Sequence, residues 1–231
     1  MGATNSEKQI TRRRPPRFEL VAGAVCLDFI NTLDDRFSSK PKELLKTYID
    51  LARFGEDTGI LSELQVDRLF ARSEMSPEAA RKALGAAIEL REAMFAVFAA
   101  IATRKPVPPP ALMRLNQYIQ GAAQYARLVP ARSTSEQFAT KKSGTEKARF
   151  EWRFDALPST FEDPLWPVAR SAAELLASDQ LAYVHMCASK SCEWFFLDTS
   201  KNHRRRWCDM TKCGNRAKFQ RFYSRKKKSS A

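Results

Sequence analysis

The chain has 231 residues, of which 44% are hydrophobic. This length allows a sizeable buried core without covalent staples, and the composition excludes a wholly disordered chain. Lys and Arg number 39 against 26 Asp and Glu, a net charge of +13, and no apolar run reaches the length of a membrane-spanning helix.

The positive charge lies at the two ends of the chain. Residues 1–17 carry a net charge of +4 and residues 187–231 a net charge of +10, whereas residues 18–186 total −1. This asymmetry indicates a polyanionic partner. For Arg12–Arg14 and for residues 226–228, a solvated tail is an equally good explanation.

Residues 1–17 form a basic arm that we expect to be disordered, because it is polar and contains a proline pair. The arm lacks the apolar middle of a secretory signal. We therefore expect a reducing cytoplasmic compartment, in which structural disulfides are rare.

Residues 18–180 have the pattern of an α+β domain, a mostly helical body with a few strands. A short strand is expected from Phe18 to a break at Gly23. Five helices are expected. The first runs from Pro41 to near Gly55 or Gly59, and the second follows an N-cap at Ser62. The third runs from Pro77 to near Pro106, the fourth lies around residues 112–119, and the fifth runs from Pro164 to near Asp179. The alternating segment Phe150–Phe154 predicts a strand, and residues 132–148 predict an exposed hairpin or loop.

The body carries no set of residues typical of an active site. His185 and His203 are the only histidines, and neither accompanies a phosphate-binding loop or a nucleophile turn. Cys26 lies among apolar residues, where an inert buried thiol is favoured over a nucleophile. We therefore expect a protein that is not an enzyme.

Four cysteines lie close together near the C-terminus. Cys187 and Cys192 form one pair, Cys208 and Cys213 form the other, and fifteen residues separate the two pairs. This spacing is typical of a four-thiolate zinc site, with an iron–sulfur cluster or metal-free thiols as alternatives. Four thiolates would also leave zinc no open position for a substrate.

The cysteines are surrounded by basic residues. A helix expected from Asn215 to about residue 227 would turn Phe219, Phe222 and Tyr223 toward the core of the module and its cations outward. The residues expected to contact nucleic acid are Lys201, Arg204, Arg205, Arg206, Arg216, Lys218, Arg221 and Arg225. The alternative is a solvated basic face on a zinc module that binds protein.

Three further expectations concern single residues of this module. Asp198 is expected to fix the loop by pairing with Arg205 or Arg206, and Trp207 is expected to shield the metal. Arg216 either contacts a base edge or braces the fold against Asp198.

Two segments resemble known families. Cys213-Gly214-Asn215-Arg216, preceded by Asp198-Thr199-Ser200 and Arg205-Arg206-Trp207-Cys208, resembles the CGNR zinc finger. The segment Cys26–Thr32 resembles the start of the ABATE domain, which precedes that finger in a class of stress-induced transcription regulators. The resemblance implies an ABATE-like domain over residues 18–180 and a zinc finger over residues 185–228.

The resemblance also implies a function. It implies a bacterial, nucleoid-associated regulator whose finger binds zinc through the four cysteines and contacts double-stranded DNA, and whose ABATE domain senses a small ligand. Asp28, Asn31 and Thr32 are polar residues in an apolar segment, and they either line that ligand's pocket or cap a helix. The alternatives are an RNA-binding protein and a zinc-dependent protein-interaction module that docks on the transcription machinery.

Overall fold

The computed structural model describes residues 17–130, 150–154, 160–189, 192–219 and 222. The expectations for residues 1–16, for the loop 132–148, and for Tyr223, Arg221 and Arg225 fall outside these residues.

The described residues form six α-helices and three short antiparallel strand pairs. The helices are α1 (Val25–Ile30), α2 (Tyr48–Asp57), α3 (Glu63–Met75), α4 (Pro77–Ala102), α5 (Pro109–Tyr125) and α6 (Leu165–Leu176). The strands are β1 (Leu33–Asp34), β2 (Lys42–Glu43), β3 (Arg127–Pro130), β4 (Phe150–Arg153), β5 (Val184–Met186) and β6 (Phe195–Leu197), paired β1–β2, β3–β4 and β5–β6. The predicted fold class is confirmed: a mostly helical α+β body precedes a cysteine cluster.

Two helices start where local signals in the sequence predicted them. At the start of α3, the Ser62 N–H donates to Gln65 Oε1 at 2.8 Å and the Gln65 N–H donates back to Ser62 Oγ at 3.4 Å. This reciprocal capping box satisfies N–H groups that have no partner within the helix. Helix α4 begins at Pro77, whose fixed φ suits the first helical position.

Two other predicted elements are wrong. The helix expected from Pro41 begins only at Tyr48, because Lys42 and Glu43 pair with β1 and a capping box at Thr47 starts α2. The segment expected as a strand from Phe18 is not one. Its Phe18 ring packs edge-on against Phe54, with the ring centroids 5.4 Å apart.

The longest helix, α4, crosses the body and carries a buried cation. Arg91 is 2% exposed and forms two hydrogen bonds to the Glu43 carboxylate, at 2.6 and 2.7 Å. It also donates to Glu92 at 3.0 Å and to Thr32 Oγ1 at 3.2 Å. Because a buried charge is tolerated only when it is paired, this network fixes β2 and the end of α1 against α4.

Strand β6 joins the body to the cysteine cluster. Val184, Phe195 and Leu197 belong to the body core, and the Phe195 ring contacts those of Phe95 and Phe98. The charge of the sequence changes near residue 187, but the packing of the side chains is continuous across that position. Within the described residues, no helix is both long enough and apolar enough to cross a membrane.

Candidate metal centre

The first cysteine pair lies on the β5–β6 hairpin. Cys187 follows β5 directly, and its N–H donates to the Trp194 carbonyl at 2.8 Å, which extends the strand pairing by one residue. Cys192 precedes β6, and its N–H donates to the Ser189 carbonyl at 3.0 Å. The two strands therefore determine where the first two sulfurs lie.

The second pair flanks a turn of π-helix, Met210–Gly214. Asp209 caps this turn, since its carboxylate accepts the N–H groups of Thr211 and Lys212. Cys208 lies just before the cap and Cys213 lies in the turn, so the capped turn holds both sulfurs on one side.

The four sulfur atoms lie within 4.8 Å of one another. The Sγ atoms of Cys192 and Cys208 are 3.5 Å apart, and those of Cys208 and Cys213 are 3.7 Å apart. Four sulfurs bound tetrahedrally to zinc at about 2.3 Å would be about 3.8 Å apart, so the group fits a single zinc ion. An iron–sulfur cluster does not fit, because several irons hold their cysteines further apart than one ion does.

The cysteines are buried and free of disulfides. Hydrogen bonds from Cys192 and Cys208 lower the pKa of the Cys187 thiol, whereas the same contacts with Cys187 raise the pKa values of Cys192 and Cys208. Without a metal the packed sulfurs therefore favour a single thiolate, at Cys187, and a metal ion would have to displace the protons of its neighbours. Phe196 is buried against the cluster, and Val21, Trp194 and Trp207 pack around it. Trp207 thus has the shielding position expected of it. Cys26 lies in the body core instead, where burial raises its pKa to about 12.

Asp198 organises the loop before Cys208, by a contact other than the predicted one. Its carboxylate accepts the backbone N–H groups of Ser200 at 2.9 Å and Arg205 at 2.7 Å. The His203 ring stacks on Tyr183, with the centroids 3.9 Å apart, and contacts the Asp198 carbonyl at 2.9 Å. This loop is therefore held by backbone contacts and a ring stack.

Arg205 differs from the other predicted nucleic-acid contacts. Its side chain is half-buried, donates to the carbonyls of Trp207 and Cys208, and lies 4.7 Å from the Phe196 ring centroid. Arg205 therefore braces the cysteine loop, and its contact with nucleic acid stays a prediction. Among the members of the predicted set that the structure describes, Lys201, Arg204, Arg206, Arg216 and Lys218 are exposed.

A groove of about 240 Å³ separates the cysteines from the body. Its lining includes Glu19, Asp34 and Asp35 of the body and Lys212 and Arg216 of the module. Lys212 forms an ion pair with Glu19, which raises the pKa of Lys212. No local pattern predicts this pair, because the two residues are 193 positions apart in the chain.

Asp28 and Asn31, two of the predicted ligand contacts, have structural roles. Asn31 Nδ2 donates to the Phe195 carbonyl, and the Phe195 N–H donates to Asn31 Oδ1, both at 2.9 Å. The Asp28 carboxylate accepts the Ala22 N–H at 2.9 Å, and the Ala22 carbonyl in turn accepts the Leu197 N–H at 2.7 Å.

Thr32 also bonds within the fold, since its hydroxyl donates to the Phe29 carbonyl at 2.7 Å and accepts from Arg91. All three side chains are buried. These contacts lie within the body and, for Asp28 and Asn31, with the segment that holds β6. Asn31 also caps the end of α1, as the alternative expected. Contact of the three residues with a small ligand stays a prediction.

Comparison with family models gives two matches. Residues 23–179 match the ABATE model, described as "Putative stress-induced transcription regulator", and residues 184–226 match the CGNR zinc finger. No curated protein matches the chain significantly. The CGNR match and the sulfur geometry together identify zinc as the cofactor.

Proposed function

The chain belongs to the ABATE family, and from that membership we propose that it is a transcription regulator that binds double-stranded DNA through its zinc finger. We place it in the bacterial cytoplasm, at the nucleoid, where it would meet DNA and the transcription machinery. One observation supports DNA as the partner above all: exposed cations lie on a loop that the metal centre and Asp198 hold in place.

Lys201, Arg204 and Arg206 are the exposed cations of that loop. A loop held at both ends loses less conformational entropy on binding than a mobile one, so its cations suit contacts to phosphates. Arg216 and Lys218, exposed after the second cysteine pair, extend the same positive region. Such contacts fix the protein on the duplex and do not by themselves read sequence.

We propose that the protein is not an enzyme. Four cysteines complete the tetrahedral shell of zinc, so a metal held by all four has no open position for water or substrate. The zinc supplies folding energy to the finger and no chemistry.

We assign the sensing of a small ligand to a second groove, in the body, of about 310 Å³. Its walls combine apolar residues with a few polar groups, the usual composition of a ligand site. The lining includes Ile60, Leu61, Trp152, Phe154 and Pro167 among the apolar residues, and Gln65, Arg153 and Asp163 among the polar ones.

Titration of the zinc-loaded full chain against duplex DNA at several salt concentrations tests the main proposal. With about six phosphate contacts, log affinity should fall against log salt with a slope of about −5. Replacing Arg204 and Arg206 by Ala should weaken binding and reduce the slope to about −3.6, the value for four contacts. Replacing Arg81 and Lys82, two exposed cations of α4, removes the same charge from the body and should leave the slope unchanged.

Three results would contradict the proposal that the loop of the zinc finger binds DNA. Negligible binding at every salt concentration would reject nucleic acid and favour the protein-interaction module. Tighter binding to RNA than to DNA of the same sequence would favour an RNA-binding protein. Equal effects of the two double substitutions would mean that general charge, and not the loop, attracts the DNA.

A further inference from the structure

The groove of about 310 Å³ in the body contains a buried carboxylate. Asp163 lines this groove and is 6% exposed. Its Oδ1 atom accepts the N–H group and the hydroxyl of Thr160, at 3.0 and 2.6 Å. Within the residues that the structure describes, its Oδ2 atom has no hydrogen-bond partner. One oxygen therefore holds the turn before α6, and the other is left for a ligand.

No side chain of the described residues forms an ion pair with this carboxylate. Arg153, the cation among the described lining residues, is bound by Glu151, with Nε and Nη2 at 2.8 and 2.6 Å from its carboxylate. The guanidinium of Arg72 lies over the Phe161 ring, 4.9 Å from its centroid. Burial raises the pKa of Asp163, although hydrogen bonds and the charge of Arg72 lower it. A buried charge is stabilised by pairing, so this carboxylate would gain from a cation in the groove.

The rest of the groove determines what kind of cation fits. The apolar part of its wall includes Ile60, Leu61, Phe154 and Pro167. Such a wall suits a hydrocarbon or aromatic body, which a bare inorganic ion lacks. Asp163 also belongs to no group of three metal-ligating side chains among the described residues. An anionic ligand is disfavoured, because its charge would lie close to that of a carboxylate that is already buried.

We propose that this groove binds an organic cation, whose ammonium group pairs with the Asp163 carboxylate and whose apolar body packs against the groove wall. The inference rests on the part of the proposed function that assigns ligand sensing to this groove, and it adds the chemical class of the ligand. It does not depend on DNA binding.

Three probes of similar size and different charge test the proposal. They are 2-phenylethylamine, a cation, 2-phenylethanol, which is neutral, and 3-phenylpropionate, an anion. Ligand-observed NMR titration of the zinc-loaded full chain at pH 7.5 measures the affinity for each. Asp163→Asn removes the charge but keeps an oxygen for Thr160, and Asp67→Asn removes the same charge from an exposed position of α3.

We expect the amine to bind about tenfold more tightly than the alcohol or the anion, because it adds a hydrogen bond between two charged groups. Asp163→Asn should abolish this preference and leave the affinity for the alcohol unchanged, whereas Asp67→Asn should retain the preference. Far-UV circular dichroism checks folding. If Asp163→Asn does not fold, the three probes on the unsubstituted chain still decide the charge of the ligand.

The results that would overturn the inference also separate it from the proposed function. Equal affinities for the three probes, or tighter binding of the anion, would reject the organic cation and leave the ligand groove in place. An amine preference that survives Asp163→Asn would show that the amine binds elsewhere, and it would reject the inference as well. If none of the probes binds, the inference and the assignment of ligand sensing to this groove fail together.

Discussion

Two cores lie on opposite faces of β6. On one face, Phe195 and Leu197 join the large apolar core built from helices α1 to α6. On the other face, Phe196 packs against four cysteines, and among the described residues Val21, Trp194 and Trp207 are the hydrophobic side chains packed around them. The body is stabilised by apolar burial, whereas the cysteine core is too small for that and depends on its metal.

The shared strand shows why the two regions are not independent. Alternate side chains of a strand point to opposite faces, so one three-residue strand contributes to both cores. Asn31 and the Ala22 carbonyl hold β6 against the body by hydrogen bonds. Disorder in the cysteine core should therefore reach the body through β6.

Loss of zinc should have the largest effect. We expect chelation, or Cys208→Ser, to unfold the cysteine core, because the apparent free energy of zinc binding in small modules is about 10–16 kcal/mol. Since β6 belongs to both cores, the midpoint of thermal unfolding of the body should fall as well. Zinc content, far-UV circular dichroism and thermal unfolding measure these effects.

The control is the fifth cysteine, which is buried in the body core. Cys26→Ala should lower the stability of the body but leave about one zinc per chain. A body whose unfolding midpoint is unchanged after chelation would show that β6 stays ordered without metal and that the regions are independent.

Substitutions on opposite faces of β6 should separate the two cores. Phe195→Ala removes a ring from the body core and should lower the free energy of unfolding by about 3–5 kcal/mol. Phe196→Ala removes the ring beside the cysteines and should chiefly weaken zinc retention against a chelator. Urea unfolding and competition with a chelating dye measure the two effects, and equal effects of both substitutions on both measurements would contradict the division.

Asp28 makes the link between the regions sensitive to pH. Burial raises the pKa of its carboxyl to about 6, despite hydrogen bonds from the N–H groups of Ala22 and Val21. The unfolded carboxyl has its ordinary pKa near 3.8, so the folded chain takes up a proton between pH 6 and 4 that the unfolded chain does not. The burial of Asp28 therefore lowers the free energy of unfolding by its full amount above pH 6, and this penalty disappears as the pH falls.

Asp28→Asn should remove that penalty, because an amide oxygen can still accept the Ala22 N–H. The gain in free energy of unfolding should be larger at pH 7.5 than at pH 5 by about 1–2 kcal/mol. The zinc centre is common to both chains, so its own dependence on pH cancels when they are compared in urea. An equal gain at both pH values would mean that the pKa of Asp28 is not raised.

The sequence predicted the parts of the molecule that depend on local signals. The capping residue Ser62, the first-turn Pro77 and the spacing within each cysteine pair each act within a few positions, and the structure has each in its expected place. Lys42 was wrongly assigned to a helix, because it pairs with Asp34, eight positions earlier, and local signals do not show such a pairing.

The errors near the metal have a similar cause. Trp194 to Leu197 form a continuous apolar run, which does not show that alternate residues serve two different cores. The role of Asn31, as a ligand contact or as a helix cap, was ambiguous because its partner, Phe195, lies 164 residues away. The exposed Phe219 had the helical spacing of a buried residue, and periodicity cannot show whether a second element covers a face.

The smallest expected effect distinguishes two adjacent arginines of the loop before Cys208. Arg205 braces the carbonyls of Trp207 and Cys208, so Arg205→Ala should speed the loss of zinc to a chelator. Arg206 is exposed, with its guanidinium 5.5 Å from the Trp207 ring centroid, so Arg206→Ala should retain zinc. Its effect should appear in DNA binding instead, as a slope against log salt shallower by about 1. The two substitutions remove the same charge from neighbouring positions, so equal effects on zinc retention would show that Arg205 does not stabilise the metal site.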